Sequence, residues 1–235
     1  MPLSAPLSVP LPLSPSALLS AVEIAATVAF ALSGLLAGAR KKLDAVGLIV
    51  VAGLAAFGGG TLRDVLLDRR PFFWVEHANW LWALVLLCLG AMLFLRKRHL
   101  GVDAAEGQAA PQPRRLLVVT ERAMQWPAAL GLGLFTATGT QLALAMGQPA
   151  IVAVVMGVIT AVCGGVLRDI VCNDIPSAFH DHRPYAVCAF LGGWAVVGAQ
   201  ALGWPEGAVL LMGAGLASGL RLLALATDFR LPSWE

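Results

Sequence analysis

The chain reads as an all-α membrane protein built from a duplicated three-helix unit. Three observations predict this. Of 235 residues, 58% are hydrophobic and only 13% charged, about half the charge of a soluble domain. Apolar stretches of membrane-spanning length, about 20 residues, recur along almost the whole chain. The segment GGGTLRD at Gly58–Asp64 also returns as CGGVLRD at Cys163–Asp169, 105 residues later. That offset aligns Phe30-Ala31-Leu32-Ser33-Gly34 with Phe135-Thr136-Ala137-Thr138-Gly139, and Pro71 with Pro176. Three landmarks in one ungapped register indicate duplication.

The elements follow in order. Residues 1–17, rich in Pro, Ser and Leu and free of Lys and Arg, read as a disordered tail, since a secretory signal needs a basic start. The first three-helix repeat spans 18–95, with helices near Leu18–Ala39, Ala45–Leu66 and Trp74–Leu95. Residues 96–122, polar and flanked by basic clusters, read as a flexible linker. The second repeat spans 123–203, with helices near Met124–Met146, Ala150–Cys172 and Tyr185–Leu202. A seventh helix lies within 204–226 (Glu206–Ala226), and 227–235 form a tail. Two copies of an odd-span unit must enter the bilayer in opposite directions. The architecture is then seven transmembrane helices: an inverted repeat of two three-helix units plus one, an arrangement that sets ion or substrate sites between the copies.

Charge sets the orientation. Arg40, Lys41, Lys42, Arg96, Lys97, Arg98, Arg114, Arg115, Arg122 and Arg183 fall on one set of loops, and the opposite turns hold only Arg69 and Arg70. The positive-inside rule puts the N-terminus outside and the C-terminus in the cytoplasm. Cys88, Cys163, Cys172 and Cys188 all lie in apolar segments without zinc spacing, so they read as buried thiols.

The repeated motif is the candidate site. Gly58, Gly59 and Gly60 are three successive poor helix formers, and Thr61 and Asp64 have the spacing of a capping box. Helix two is therefore expected to break into two half-helices whose free carbonyls could replace the hydration shell of a monovalent cation. In the second copy, Gly164 and Gly165 remain, but Cys163 and Val166 replace the first glycine and the threonine. A kink rather than a break is expected there.

Arg63, Asp64, Arg168 and Asp169 each cost about 2.5–3.5 kcal/mol at the bilayer centre unless they face water or a partner. Neighbours on a helix do not face each other, so Arg63 is not expected to neutralise Asp64. Depth along the helices puts Arg63 toward the outer side and Arg168 toward the inner, favouring local partners over pairing across the repeats. Locking a broken backbone and lining a pore are both open roles for these residues. A guanidinium across a cation path would repel cations, so in a pore both arginines should point aside.

Ser33 and Thr138, equivalent under the repeat, are possible pore-lining hydroxyls, with packing or back-bonding to a helix carbonyl as the alternative. Glu23 reads as interfacial, and Gly34/Gly38 and Gly215/Gly219 as packing faces. His180-Asp181-His182 has no third ligand spaced to hold a metal. No nucleophile–base pair, phosphate loop or dinucleotide fingerprint appears. Catalysis, cofactors and nucleic-acid binding have no positive support.

The paired GGGTLRD and CGGVLRD motifs, on two three-helix units followed by a seventh helix, resemble the prokaryotic TRIC family of trimeric intracellular cation channels, also labelled glycine-transporter-like. The resemblance covers about Leu18 to Ala226. It implies a homotrimer in the bacterial inner membrane, with one potassium-permeable pore per protomer lined by kinked helices two and five. By position, Gly58, Gly59, Gly60, Arg63, Asp64, Gly164, Gly165, Arg168 and Asp169 match the family motif, with Cys163 as a departure. Phosphoinositide binding, associated with a lysine on the second helix of animal members, does not carry over, because no Lys lies between Lys42 and Lys97. Membrane lipids remain expected neighbours. A secondary transporter for a small amino acid such as glycine fits the same architecture, and a structural membrane protein whose glycines only pack is a third reading.

Overall fold

A computed structural model describes residues 15–103, 113–180, 182–230 and 232. Among these, every regular element is helical: α1 (Pro15–Arg40), α2 (Ala45–Leu66), α3 (Phe73–Glu76), α4 (Asn79–Asp103), α5 (Pro113–Ala145), α6 (Ala150–Val171), α7 (Ser177–His180), α8 (Ala186–Ala201) and α9 (Glu206–Thr227). The duplication extends to the two short helices. The order α1 to α4 repeats as α5 to α8, with α3 and α7 each following a glycine–Arg-Asp motif.

Five segments are long and apolar enough to cross a membrane: Ala17–Arg40, Ala45–Leu66, Ala123–Ala145, Ala150–Val171 and Glu206–Thr227. Two further apolar helices, Asn79–Leu93 and Ala186–Ala201, are shorter. The third helix begins at Asn79 rather than near Trp74, because Phe73–Glu76 winds as a separate turn. The expected linker is also shortened. Residues 96–103 continue α4 and 113–122 begin α5. The tail expected at 1–17 lies outside the described residues up to 14; α1 starts at Pro15, a position suited to proline because its missing N–H would have no helical partner.

Two helices cross at the centre of the molecule. A Cβ placed on Gly59 would collide with the Thr160 carbonyl oxygen, and one on Gly164 with the Ala55 carbonyl oxygen. Ala55 thus meets Gly164 while Gly59 meets Thr160, so α2 advances as α6 retreats and the two run antiparallel. The contacts are reciprocal under the 105-residue offset, as a local two-fold axis requires. The rings of Phe30 and Phe135, equivalent residues on α1 and α5, stack with centroids 5.6 Å apart. Only on that axis does a residue meet its own equivalent.

Around this crossing, α1, α2, α5 and α6 form the core, α8 packs on α5 and α6, α9 packs on α5 and α8, and α4 packs outside α2. The buried surface is small-residue rich, with Ala26, Ala52, Ala55, Ala129 and Ala161 fully buried. Small side chains permit the close helix approach on which packing in lipid depends. Outward faces carry Leu86, Trp82, Leu202 and Leu211, each at least two-thirds exposed. Such a surface suits hydrocarbon and would aggregate in water.

Candidate functional site

The glycine motif does not break its helix. α2 runs continuously from Ala45 to Leu66, and α6 from Ala150 to Val171. Half-helices with free carbonyls, expected from the glycine run, are therefore absent in the described residues. The glycines serve close approach instead. Gly59 and Gly164 make the central crossing, Gly58 lies against Leu167, Gly60 against the Phe73 ring, and Gly165 against the Tyr185 hydroxyl. Thr61 is not an N-cap. Its hydroxyl donates back to the Phe57 carbonyl at 2.7 Å and accepts from Trp74 Nε1 at 2.9 Å. Back-bonding satisfies a hydroxyl within an unbroken helix, so three glycines and a threonine are compatible with continuity when tertiary packing holds the backbone.

Each Arg of the motif is paired with the Asp that follows it, contrary to the expectation from helix geometry. Arg63 Nε donates to Asp64 Oδ1 at 2.8 Å, and Nη2 lies 2.7 Å from the same oxygen. Arg168 repeats this on Asp169, at 2.7 Å for both nitrogens. The i, i+1 rule describes Cβ directions; the long arginine chain curls sideways across one residue and escapes it. The second oxygen of each Asp caps a short helix. Asp64 Oδ2 accepts from Phe73 N at 2.8 Å, and Asp169 Oδ2 from Ser177 N at 2.9 Å and Ser177 Oγ at 3.1 Å. Asp64 is thus a cap, but of α3 rather than of a restarted α2.

The remaining guanidinium nitrogen distinguishes the two copies. Arg63 Nη1 donates to Glu23 Oε1 on α1 at 2.9 Å. Glu23 is buried, not interfacial. It is the principal site residue missed from the sequence, although an isolated carboxylate inside an apolar helix is itself a signal, since such a charge needs a partner. Arg69, 3.8 Å from Asp64, and Glu76, 3.4 Å from Arg69, extend this cluster to the surface. Arg168 Nη1 instead donates to Ser33 Oγ at 2.5 Å, and Ser33 donates to the Met124 carbonyl at 3.2 Å. Pairing across the repeats, judged less favourable from depth alone, therefore occurs for Arg168. Ser33 and Thr138 are not equivalent in use: Thr138 bonds back to the Leu134 carbonyl at 3.1 Å.

The repeat register shows one difference between the copies. Ala128 stands where the repeat would put the counterpart of Glu23. A cavity of about 550 Å³ lies beside Arg168, lined by Ala128, Asp169, Asp174, Tyr185, Arg40 and Arg221 among others. Asp174, in the loop after α6, binds Arg40 and Lys41 at 2.6 Å each. Burial pushes its carboxyl upward, but the hydrogen bonds and charges of Lys41 and Arg40 prevail and hold it below the usual carboxylate range. Arg221 lies over the Tyr185 ring at 4.8 Å and donates to the carbonyls of Arg183 and Pro184. The cavity therefore offers both charge signs, on groups already held in place. Among the described residues, no three His, Cys, Asp or Glu side chains converge as metal ligands. Asp181 and the His180 side chain lie outside the described residues.

One family model, described as "glycine transporter", matches the chain twice, over residues 20–97 and 125–201. These are the two halves of the duplication. A TRIC trimeric intracellular cation channel orthologue from Rhodobacter sphaeroides is 30% identical, with a TM-score of 0.75 over 89% of this chain and 97% of that one. The chain belongs to the TRIC family. A second solved TRIC cation channel, 27% identical, covers 92% of this chain and 96% of its own at a TM-score of 0.74. Relatives of this TRIC-family chain include a UPF0126 membrane protein from Vibrio cholerae, 32% identical over 93% of this chain and 84% of its own length. The UPF0126 inner membrane protein YadS of Escherichia coli K12 is 31% identical over 91% and 94%. Both halves of the motif fall within the matched segments, so the paired Arg–Asp clusters belong to the family portion of the chain.

Proposed function

We propose that this TRIC-family protein is a monovalent-cation channel of the bacterial inner membrane, permeable to potassium. Each protomer of a homotrimer would hold one pore, lined by α2 and α6. Seven spans in an inverted repeat would leave the N-terminus outside and the C-terminus in the cytoplasm. The observation that carries this is the two-fold pair of buried Arg–Asp motifs on antiparallel α2 and α6, one of them opening into the Arg168 cavity. Charged groups in an apolar core are retained where ions or water pass. Carboxylates within 2.9 Å of each guanidinium lower the field that would otherwise repel a cation, which meets the difficulty posed by arginine in such a path. By topology the Arg168 cavity would face the cytoplasm and the Glu23–Arg63 cluster the outside.

Planar-bilayer recording of the purified protein in symmetric KCl tests this reading. Unitary potassium currents are expected, and cross-linking in membranes is expected to stop at a trimer. A second reading, a carrier for a small zwitterion, is favoured by the presence of both Arg and Asp side chains in the cavity, as ammonium and carboxylate groups would need. Saturable glycine uptake into proteoliposomes without current steps would establish the carrier and overturn the channel.

A further inference from the structure

The two polar clusters do not meet. Glu23 and Ser33, which hold Arg63 and Arg168, lie ten residues apart on α1, about 15 Å along the helix. Phe30 of α1 and Phe135 of α5 occupy the interval. Their rings are inclined by 26°, and both side chains are buried from solvent. Ala26, Ala55, Leu132 and Ala161 pack around them in one apolar cluster. On one side Gly165 stands between this layer and the cavity wall: a Cβ there would lie 3.2 Å from the hydroxyl of Tyr185, which lines the cavity, and 3.8 Å from Phe30 Cε1. Neither phenylalanine lines the cavity itself.

We propose that the stacked Phe30–Phe135 pair is the closed gate of the permeation path, an apolar seal on the local two-fold axis between the Arg168 cavity and the Glu23–Arg63 cluster. The proposal rests on the channel reading. A monovalent ion cannot shed its hydration shell against hydrocarbon, so a constriction of two rings closes a pore by excluding water. Position on the axis gives the seal leverage. A rotation of one repeat against the other moves both rings equally and in opposite senses, so a small motion separates them by twice the displacement of either. The back of Phe30 also rests on the bare backbone of Gly131, where a Cβ would sit 2.6 Å from Cδ2. A smooth wall of this kind lets the ring slide without unlocking side chains.

The test compares the full-length wild type with Phe30→Tyr, Phe135→Tyr and Phe30→Ala in bilayers with symmetric KCl. The tyrosines preserve ring volume and add a hydroxyl that wets the seal, so they decide the question if the alanine variant fails to fold. Resting open probability is expected to rise about tenfold or more, with unitary conductance changed by less than about twofold. Monodisperse tyrosine variants whose open probability stays at the wild-type value would overturn the gate while leaving the channel intact. Currents in the variants from a wild type that stays silent would support both. Silence of wild type and all variants alike would overturn both.

Discussion

Replacing Glu23 with glutamine takes one negative charge from Arg63 while keeping an oxygen where Oε1 stood. Arg63 is fully buried and has two carboxylate partners, with one contact to Glu23 at 2.9 Å and two to Asp64 at 2.7 and 2.8 Å. Breaking a buried ion pair outright costs about 3–5 kcal/mol, but Asp64 remains, so only the smaller share is lost. A hydrogen bond to a charged group contributes about 1.5–3 kcal/mol and a neutral one about 0.5–1.5 kcal/mol. The glutamine oxygen still accepts from the charged guanidinium, so their difference is an upper bound, and the expected loss for Glu23→Gln is at most about 1–2 kcal/mol. For a chain of this size, that is a fall of at most about 2–8 °C in Tm.

Thermal melting of the detergent-solubilised protein, followed by intrinsic fluorescence, reads this shift. A double-mutant cycle with Arg63→Met isolates the pair, and a coupling of about 1 kcal/mol or more is expected. Single effects that add to within about 0.5 kcal/mol, the limit for independent sites, would refute the assignment of Glu23 as a partner of Arg63.

Other substitutions probe separate parts of the fold. Gly59→Ala and Gly164→Ala each drive a methyl into a carbonyl of the facing helix and should destabilise by more than the usual overpacking cost of about 1–3 kcal/mol. Gly215→Ala, with nothing within 4 Å of its Cβ, should leave the protomer unchanged or stabilise it by up to about 1 kcal/mol in the same melting assay. Thr140 is buried and its hydroxyl has no hydrogen-bond partner among the described residues, so Thr140→Val should hold or raise Tm, whereas a clear fall would reveal a bond to that hydroxyl. Asp174, whose folded pKa is depressed, stabilises above its unfolded pKa, and that contribution is lost as pH falls through the folded value. The Tm advantage of wild type over Asp174→Asn should therefore be constant near neutrality and shrink only at and below the ordinary carboxylate range. An advantage that disappears near pH 7 would contradict the Lys41 and Arg40 contacts.

The primary structure alone determined the helical class, the duplication and the residues at issue. These are properties of composition and register: apolar length dictates helices in lipid, and a constant offset dictates equivalent positions. It misled where local rules met packing. The glycine triplet and the threonine-to-aspartate spacing have the chemistry of a helix break, yet α2 is continuous because the glycines bring α6 within contact and back-bonding satisfies Thr61. No local pattern could reveal that Glu23, forty residues upstream, would complete the charge of Arg63, or that Ser33 would reach Arg168 from the other repeat. Those pairings depend on how α1 crosses α2 and α6. Tertiary structure also decided that Arg168 borders a cavity while Arg63 is held between two carboxylates. The copies differ there at Glu23, which meets Arg63, and Ala128, which lines the cavity beside Arg168. A carboxylate bonds to one arginine, and a methyl borders the open space beside the other.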